Sequence, residues 1–161
     1  MTTIISSKDA KNISETFHAN HQLIVVAGGC FDLLHIGHIT LLENAKKQGN
    51  ILMVLLESDA SIKKSKGIDR PIHSQEQRAK LLAALKAVDV VVMLSDNMQN
   101  TDYDELLQDI RPAFIATTEH DQHIQHKERQ AKNIGAKVIV VNKYIPTVST
   151  TKLLHILAQE V

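Results

Sequence analysis

Leu23-Ile24-Val25-Val26-Ala27-Gly28-Gly29-Cys30-Phe31-Asp32-Leu33-Leu34-His35-Ile36-Gly37-His38 is the stretch that decides the fold. Its opening run, Leu23 to Ala27, is too short for a helix and rich in β-formers, so it predicts a buried strand. After it, Ile39, Leu41, Leu42 and Ala45 recur at helical spacing, and Gly49 is placed to stop that helix at its C-cap. The unit is therefore a strand, a glycine-containing turn and a helix whose first turn holds His35, Gly37 and His38. Such an arrangement suits an anion, because free N–H groups and the positive end of the helix dipole point at one spot. Gly37 lets a phosphate approach the backbone closely, and the two histidines add donors on either side. A phosphate pocket is the reading these residues support.

Outward from that stretch, Ser7 to about Ala19 reads as an amphipathic helix with Ser7 at its N-cap and Ile13 and Phe17 on one face. Residues 1–22 are thus expected to form an N-terminal helical extension that covers a sheet edge or a neighbouring subunit. Ile51 to Leu56 is a nearly continuous apolar run, the mark of a strand covered on both faces. It ends in Glu57-Ser58-Asp59 and leads to a basic loop from Lys63 to Pro71. Ser74 and Gln77 make a capping box for a helix through Leu81, Leu82 and Leu85. Asp89 to Leu94 is a third strand, and Thr101 and Asp104 start a short helix that Arg111-Pro112 ends. Ala113 to Ala116 is a fourth strand, a helix runs to Ile134 with Gly135 as its stop, and Val138 to Val141 is a fifth. Leu153, Leu154, Ile156 and Leu157 mark a terminal helix capped by Ser149 or Thr150.

Strand and helix alternate without a break, which predicts an α/β fold. Residues 1–161 are expected to form a single domain with a parallel sheet of about five strands, right-handed crossovers and helices on both faces. Ligands of such sheets bind at the carboxyl ends of the strands, near the switch point. The turn after the first strand, the loop after the second and the cap of the last helix can all meet there.

Composition narrows the function classes. The 161 residues suffice for a proper core without staples. Lysine plus arginine number 18 and aspartate plus glutamate 18, so no net field attracts nucleic acid or an anionic membrane. No apolar run approaches a membrane span, the N-terminus lacks a signal-peptide core, and the lone cysteine excludes an internal disulfide. A soluble cytoplasmic protein without membrane or nucleic-acid partners is expected.

Several side chains can carry chemistry. Lys63, Lys64 and Lys66 follow the second strand, either as a solvated surface or as a mobile loop that closes over the β- and γ-phosphates; Gly67 and the position after a strand favour the second. Ser149-Thr150-Thr151-Lys152 supplies a helix cap and, with the N–H groups there, a second phosphate cradle. Arg78 either reaches a phosphate or forms a surface ion pair. Asp32 binds a metal or braces the turn, and its place after Phe31 at the strand exit favours bracing. Cys30 reads as a small buried spacer, with nothing nearby to mark it as a nucleophile. His120, His123 and His126 fan over one helix face, where a solvated surface outweighs a metal site.

The string Gly-x-Phe-Asp-x-x-His-x-Gly-His resembles the signature of the cytidylyltransferase-like nucleotidyltransferases, small Rossmann-like enzymes of the HUP type. They move a nucleoside monophosphate from a triphosphate onto a phosphorylated acceptor. The resemblance implies catalytic roles for His35, His38, Lys64 and Lys66, with Lys66 the stronger candidate. It implies nucleotide contacts from Gly29, Cys30, Phe31, Asp32, Gly37 and Arg78, and from Ser149, Thr150 and Thr151, which match the family's second signature. Ser58-Asp59-Ala60-Ser61, Lys66-Gly67-x-x-Arg70-Pro71, Glu76-Gln77-Arg78 and Ala87-Val88-Asp89 further resemble the adenylyltransferase domain of bacterial heptose-phosphate enzymes. Those enzymes make ADP-heptose, a lipopolysaccharide precursor, from ATP and D-glycero-β-D-manno-heptose 1-phosphate. Glycerol-3-phosphate cytidylyltransferase shares the same landmarks. The implied partners are ATP or CTP and a small phosphorylated acceptor. Mg²⁺ is implied as the companion of the triphosphate with no protein cage of its own, and a homodimer as the assembly.

One segment departs from the pattern. Where the relatives carry a Gly/Asp-rich element after the fourth strand, this chain reads Thr117-Thr118-Glu119-His120, so side chains stand where a ligand would approach glycine. A class I aminoacyl-tRNA synthetase fragment shares the His-x-Gly-His turn, but its lysine loop belongs far downstream and the chain has no room for its other modules. A non-catalytic nucleotide-binding protein is the rival that the altered segment motivates.

Overall fold

The computed structural model describes residues 1–143 and Leu153. The chain runs through β1 (Thr3–Ser6), a 3-10 turn (Ser7–Asp9), α1 (Ala10–Ala19), β2 (Ile24–Gly29), α2 (Ile36–Lys46), β3 (Ile51–Leu56) and α3 (Asp59–Lys66). It continues with α4 (Gln75–Ala83), β4 (Val90–Met93), α5 (Asn100–Ile110), β5 (Phe114–Thr118), α6 (Ile124–Ile134) and β6 (Lys137–Asn142). The strands form one parallel six-stranded sheet in the order β1-β4-β3-β2-β5-β6. From β2 the chain builds β3 and β4 on one side, then crosses to lay β5 and β6 on the other. The winding direction therefore reverses between β2 and β5, which opens a crevice at the carboxyl ends of those strands.

The period of two along each strand sorts the core into two layers. Ile24, Val26, Met53, Leu55, Val90 and Val92 pack on one face against Leu106, Leu107 and Ile110 of α5 and Ala131 of α6, with Ile13 and Phe17 of α1 beside them. Val25, Ala27, Leu52, Val54, Leu56 and Val91 pack on the other, against Leu42 and Ala45 of α2 and Ala79 and Leu82 of α4. Every residue of β3 is buried, as its unbroken apolar run requires. Among the described residues no helix is long and apolar enough to cross a membrane.

Three expectations change. The sheet has six strands because the N-terminal segment is not wholly helical: Thr3 to Ser6 pair in parallel with Val90 to Met93 as an edge strand. A run this short is governed by the partner it finds, and no periodicity announces it. The helix after it begins at Ala10, with Ser7 inside the 3-10 turn, and packs on the sheet face shared with α5. Gly49 is not a helix stop, since α2 ends at Lys46 with Lys47 still right-handed. A Cβ at Gly49 would lie 2.7 Å from Val25 Cγ2 and 2.8 Å from the Leu23 carbonyl oxygen, so close chain approach requires glycine there. Ser74 and Gln77 do form their capping box, and Gly135, at φ 72°, ends α6. The terminal helix expected around Ser149 to Leu157 lies, apart from Leu153, outside the described residues.

Two ionic locks set the loops at the crevice. Arg78 has none of its surface exposed. Its guanidinium donates to the carbonyls of Cys30 (2.6 Å), Glu57 (2.9 Å) and His73 (3.0 Å) and to the Asp59 carboxylate (2.7 Å). It thereby ties the turn after β2, the exit of β3 and the approach to α4 to one point. Neither reading of Arg78 holds as expected: the residue is not a surface ion pair, and it presents no surface to a ligand. Asp32 is the second lock and is 1% exposed. It accepts from Arg70 Nε (2.6 Å) and from the N–H groups of Ile72 (2.8 Å) and His73 (3.1 Å), which is the bracing role. Burial pushes this carboxyl up, but the hydrogen bonds from Arg70, His73 and Ile72 outweigh it and hold it below its ordinary value. Arg78→Met strands three part-buried carbonyls and the Asp59 carboxylate, at a cost of about 3 kcal/mol. We expect its Tm to fall by roughly 6–12 °C. Loss of nucleotide affinity at an unchanged Tm would return Arg78 to the phosphate-binding reading.

Candidate active site

The crevice is a cleft of about 1060 Å³ above the carboxyl ends of β2, β3 and β5. One wall is the start of α2. His35 is its N-cap, with extended backbone, and its carbonyl accepts from the N–H groups of His38 (2.9 Å) and Ile39 (3.2 Å). The two imidazoles stack with centroids 3.8 Å apart and planes 24° from parallel. Phe31 sits beneath them in the left-handed region (φ 46°), buried, with its ring 5.2 Å from that of His38. The rings crowd both glycines: a Cβ at Gly37 would lie 3.1 Å from the His35 ring, and one at Gly29 3.0 Å from Phe31, so a side chain at either position would press the stack aside by a few tenths of an ångström.

This stack carries unused hydrogen-bonding capacity. The Nδ1 atoms of His35 and His38 are buried and lack a hydrogen-bond partner among the described residues. Burial pushes His35 below its ordinary value. Burial, and after it the charges of His35 and Lys66, push His38 down to about 4. Burial thus favours the neutral form of both rings, and the negative charge of a triphosphate would act in the opposite direction.

The lysine segment is a helix, not a loop. Ser58 caps α3 by accepting from Ser61 N–H (3.2 Å), and Gly67 ends it at φ 103°. Lysines in the last turn complement the helix dipole, an ordinary structural reason for the cluster. The helix also sorts them: all three are exposed, but only Lys66 lines the cleft, together with Ser61 and Ser65. The charge of Lys66 is felt at His38 and at Cys30. Burial pushes the Cys30 thiol up despite that charge, so it remains a thiol and a wall of the cleft.

The opposite wall is the segment that departs from the family pattern. Thr117, 2% exposed, donates to Asp121, which also accepts from Lys127 Nζ (2.6 Å) and from His123 N–H (2.8 Å). Lys127 Nζ donates to Thr117 Oγ1 as well (3.1 Å). Burial pushes the Asp121 carboxyl up, but the hydrogen bonds from Lys127, Thr117 and His123 hold it at about 2. Side chains replacing glycine are thus accommodated by a closed ionic network. His123 and His126 line the cleft mouth, and no metal-holding group of three His, Cys, Asp or Glu occurs among the described residues.

Gly29, Cys30, Phe31, His35, Gly37, His38 and Lys66 all meet at the cleft. Asp32 and Arg78 support it from behind, and Ser149, Thr150 and Thr151 lie outside the described residues. Sequence reasoning missed Glu57, Tyr103, Asp121 and Lys127. Glu57 was legible as the first residue after a fully apolar strand, and Tyr103 as one of only 2 tyrosines in the chain.

With this geometry in view, the chain can be set beside known proteins. It is 47% identical over 103 residues to the bifunctional protein HldE of a Nitratiruptor species, covering 64% of this chain and 21% of that one. It is 32% identical over 155 residues to HldE of Gluconobacter oxydans, covering 94% and 31% respectively. The chain therefore spans about a fifth to a third of the length of these curated relatives. Among solved structures, the lipopolysaccharide core biosynthesis protein of Thermoplasma volcanium superposes with a TM-score of 0.61 at 26% identity, covering 77% of this chain and 97% of that one. A pantoate-beta-alanine ligase from Francisella tularensis, complexed with beta-gamma ATP and beta-alanine, reaches a TM-score of 0.71 at 19% identity, covering 96% and 73%, a likeness of fold. The profile of the cytidylyltransferase-like family matches residues 26–156, which takes in both the histidine turn and the lysine helix, and the chain belongs to that family.

Proposed function

We propose that the chain transfers a nucleoside monophosphate from ATP, in preference to CTP, to a sugar or polyol phosphate with release of pyrophosphate. D-glycero-β-D-manno-heptose 1-phosphate is the proposed acceptor, and a homodimer the proposed assembly. The observation that carries this reading is the stacked His35–His38 pair at the start of α2, with Lys66 beside it on the cleft wall. An acceptor phosphate oxygen attacks the α-phosphorus in line. The bond from that phosphorus to the oxygen bridging the α- and β-phosphates breaks, and pyrophosphate leaves with the electron pair.

Negative charge grows on the α-phosphoryl and bridging oxygens during this step. Donors fixed before the reaction stabilise that charge more than the ground state, and only such a difference raises kcat. The N-terminus of α2 and the imidazoles face the α-phosphate, and Lys66 faces the leaving pyrophosphate. Mg²⁺ would come with the nucleotide substrate and would supply charge neutralisation of its phosphates. Asp32 and Asp121 are occupied by Arg70 and Lys127, so neither is offered to it.

The direct test is pyrophosphate release from ATP and from CTP against a panel of sugar and polyol phosphates. Release with ATP and a sugar phosphate supports the reading; nucleotide binding without release from any pair would make the chain a binding protein. His35→Ala and His38→Ala are each expected to lower kcat about tenfold or more, with Asn at either position recovering part of the loss. Near-normal turnover in both alanine variants contradicts the mechanism. Lys66→Ala should lower kcat by a similar factor of about ten, while Lys64→Ala stays within about twofold of wild type. Equal losses in the two would mean that only the net charge of α3 matters.

A further inference from the structure

One carboxylate on the cleft wall has no counterpart in the phosphate chemistry above. Glu57 follows β3 directly, and its backbone is fixed on both sides: its N–H donates to the Gly29 carbonyl (3.1 Å), and its own carbonyl accepts from Arg78 (2.9 Å). Its side chain lines the cleft, where both carboxylate oxygens lie within reach of Tyr103 Oη, at 2.8 and 2.9 Å. A phenol carries one proton, so Tyr103 satisfies one oxygen at a time and leaves most of the carboxylate's lone pairs open. Among the described residues no lysine or arginine forms an ion pair with Glu57. A carboxylate opposes bound phosphate by charge, while its open lone pairs suit a ligand that brings hydrogen-bond donors.

The position selects which ligand that is. The nucleotide belongs at the winding reversal between β2 and β5, beside the His35–His38 pair. Glu57, Tyr103 and Asn100 lie on the other flank, above β3 and α5, with Lys66 also on the cleft wall. We propose that Glu57, oriented by Tyr103, receives neighbouring hydroxyl groups of a polyhydroxylated phosphate acceptor. The acceptor's phosphate lies toward Lys66 and the α-phosphorus, and its hydroxyls donate to the Glu57 carboxylate and the Tyr103 oxygen. Burial and the adjacent Glu57 push the Tyr103 phenol up, so it keeps its proton and holds the carboxylate in place. Tyr103 is thus a positioning residue that acts through Glu57, and Asn100 adds an amide at the same edge. This assignment rests on the transferase reading and adds to it which side chains read the acceptor.

Binding and turnover are measured separately so that the two readings can fail separately. Calorimetry on the full chain, loaded with a nonhydrolysable ATP analogue, uses mannose 1-phosphate and glycerol 3-phosphate as probes, with propyl phosphate as a control lacking hydroxyls. Wild type is expected to bind a hydroxylated probe at least about tenfold more tightly than propyl phosphate. In Glu57→Gln, which keeps the shape, that preference should fall to about twofold or less while affinity for the ATP analogue is unchanged. Tyr103→Phe should weaken hydroxylated probes selectively, raising KM with little change in kcat in any probe that turns over, and leave propyl phosphate as it was. Binding with this preference but without pyrophosphate release would sustain the acceptor assignment and end the transferase reading. No preference for hydroxylated probes in wild type would overturn the assignment. So would tighter binding of 2-aminoethyl phosphate than of either hydroxylated probe, or a Glu57→Gln defect that higher Mg²⁺ repairs.

Discussion

A guanidinium with no exposed surface must find an acceptor for each donor it brings into the interior, and the residues around Arg78 are arranged to supply them. Through its bonds to Cys30, Glu57, His73 and Asp59, three separate loops meet at fixed distances. Removing that cation would free the turn that presents His35 and His38 and the strand exit that presents Glu57. Asp32 repeats the logic one layer away, since Arg70 and two backbone N–H groups fix the same turn from the other side. The cleft is preorganised because its walls are held by buried charge pairs, whose geometry tolerates little slack.

The cleft walls divide the electrostatic work. On the α2 side, Phe31, His38 and His35 pack ring against ring, and burial lowers the proton affinity of both imidazoles. On the α6 side, Asp121 and Lys127 cancel one another, so the substituted Thr117 segment adds contacts without adding net charge. Lys66 and Glu57 face the cleft outside that pairing. Their opposite signs give the cavity an electrostatic direction, which the proposed placement of phosphate and hydroxyl groups uses.

Much of this was legible in the sequence, and the reasons for the rest are physical. The strand–turn–helix unit was readable because a short apolar run rich in β-formers gives way, past Gly28-Gly29, to helical spacing from Ile39, and β3 because an unbroken apolar run of that length suits a strand covered on both faces. The capping box at Ser74 was readable because it is local. Thr3–Ser6 was not, since a short strand takes its conformation from Val90–Met93, distant in sequence. The lysine segment misled because alternating charge and small residues carry no apolar period, whereas the Ser58 cap and the buried Ile62 make it helical. Gly49 is a glycine for a reason of packing that no turn rule reveals, and Arg78 gave no sign of burial because an arginine is ordinarily a surface residue.

If neutral, stacked His35 and His38 take up the charge of a bound triphosphate, their protonation state is the quantity to measure. Nitrogen-15 NMR of the imidazole nitrogens at neutral pH reads it on the full chain, free and then saturated with a nonhydrolysable ATP analogue and Mg²⁺. Neutral rings are predicted in the free protein and, with nucleotide, at least one of the two should move to the protonated pattern with its donors engaged. Imidazole signals that stay at their free-protein positions when nucleotide is bound would contradict this.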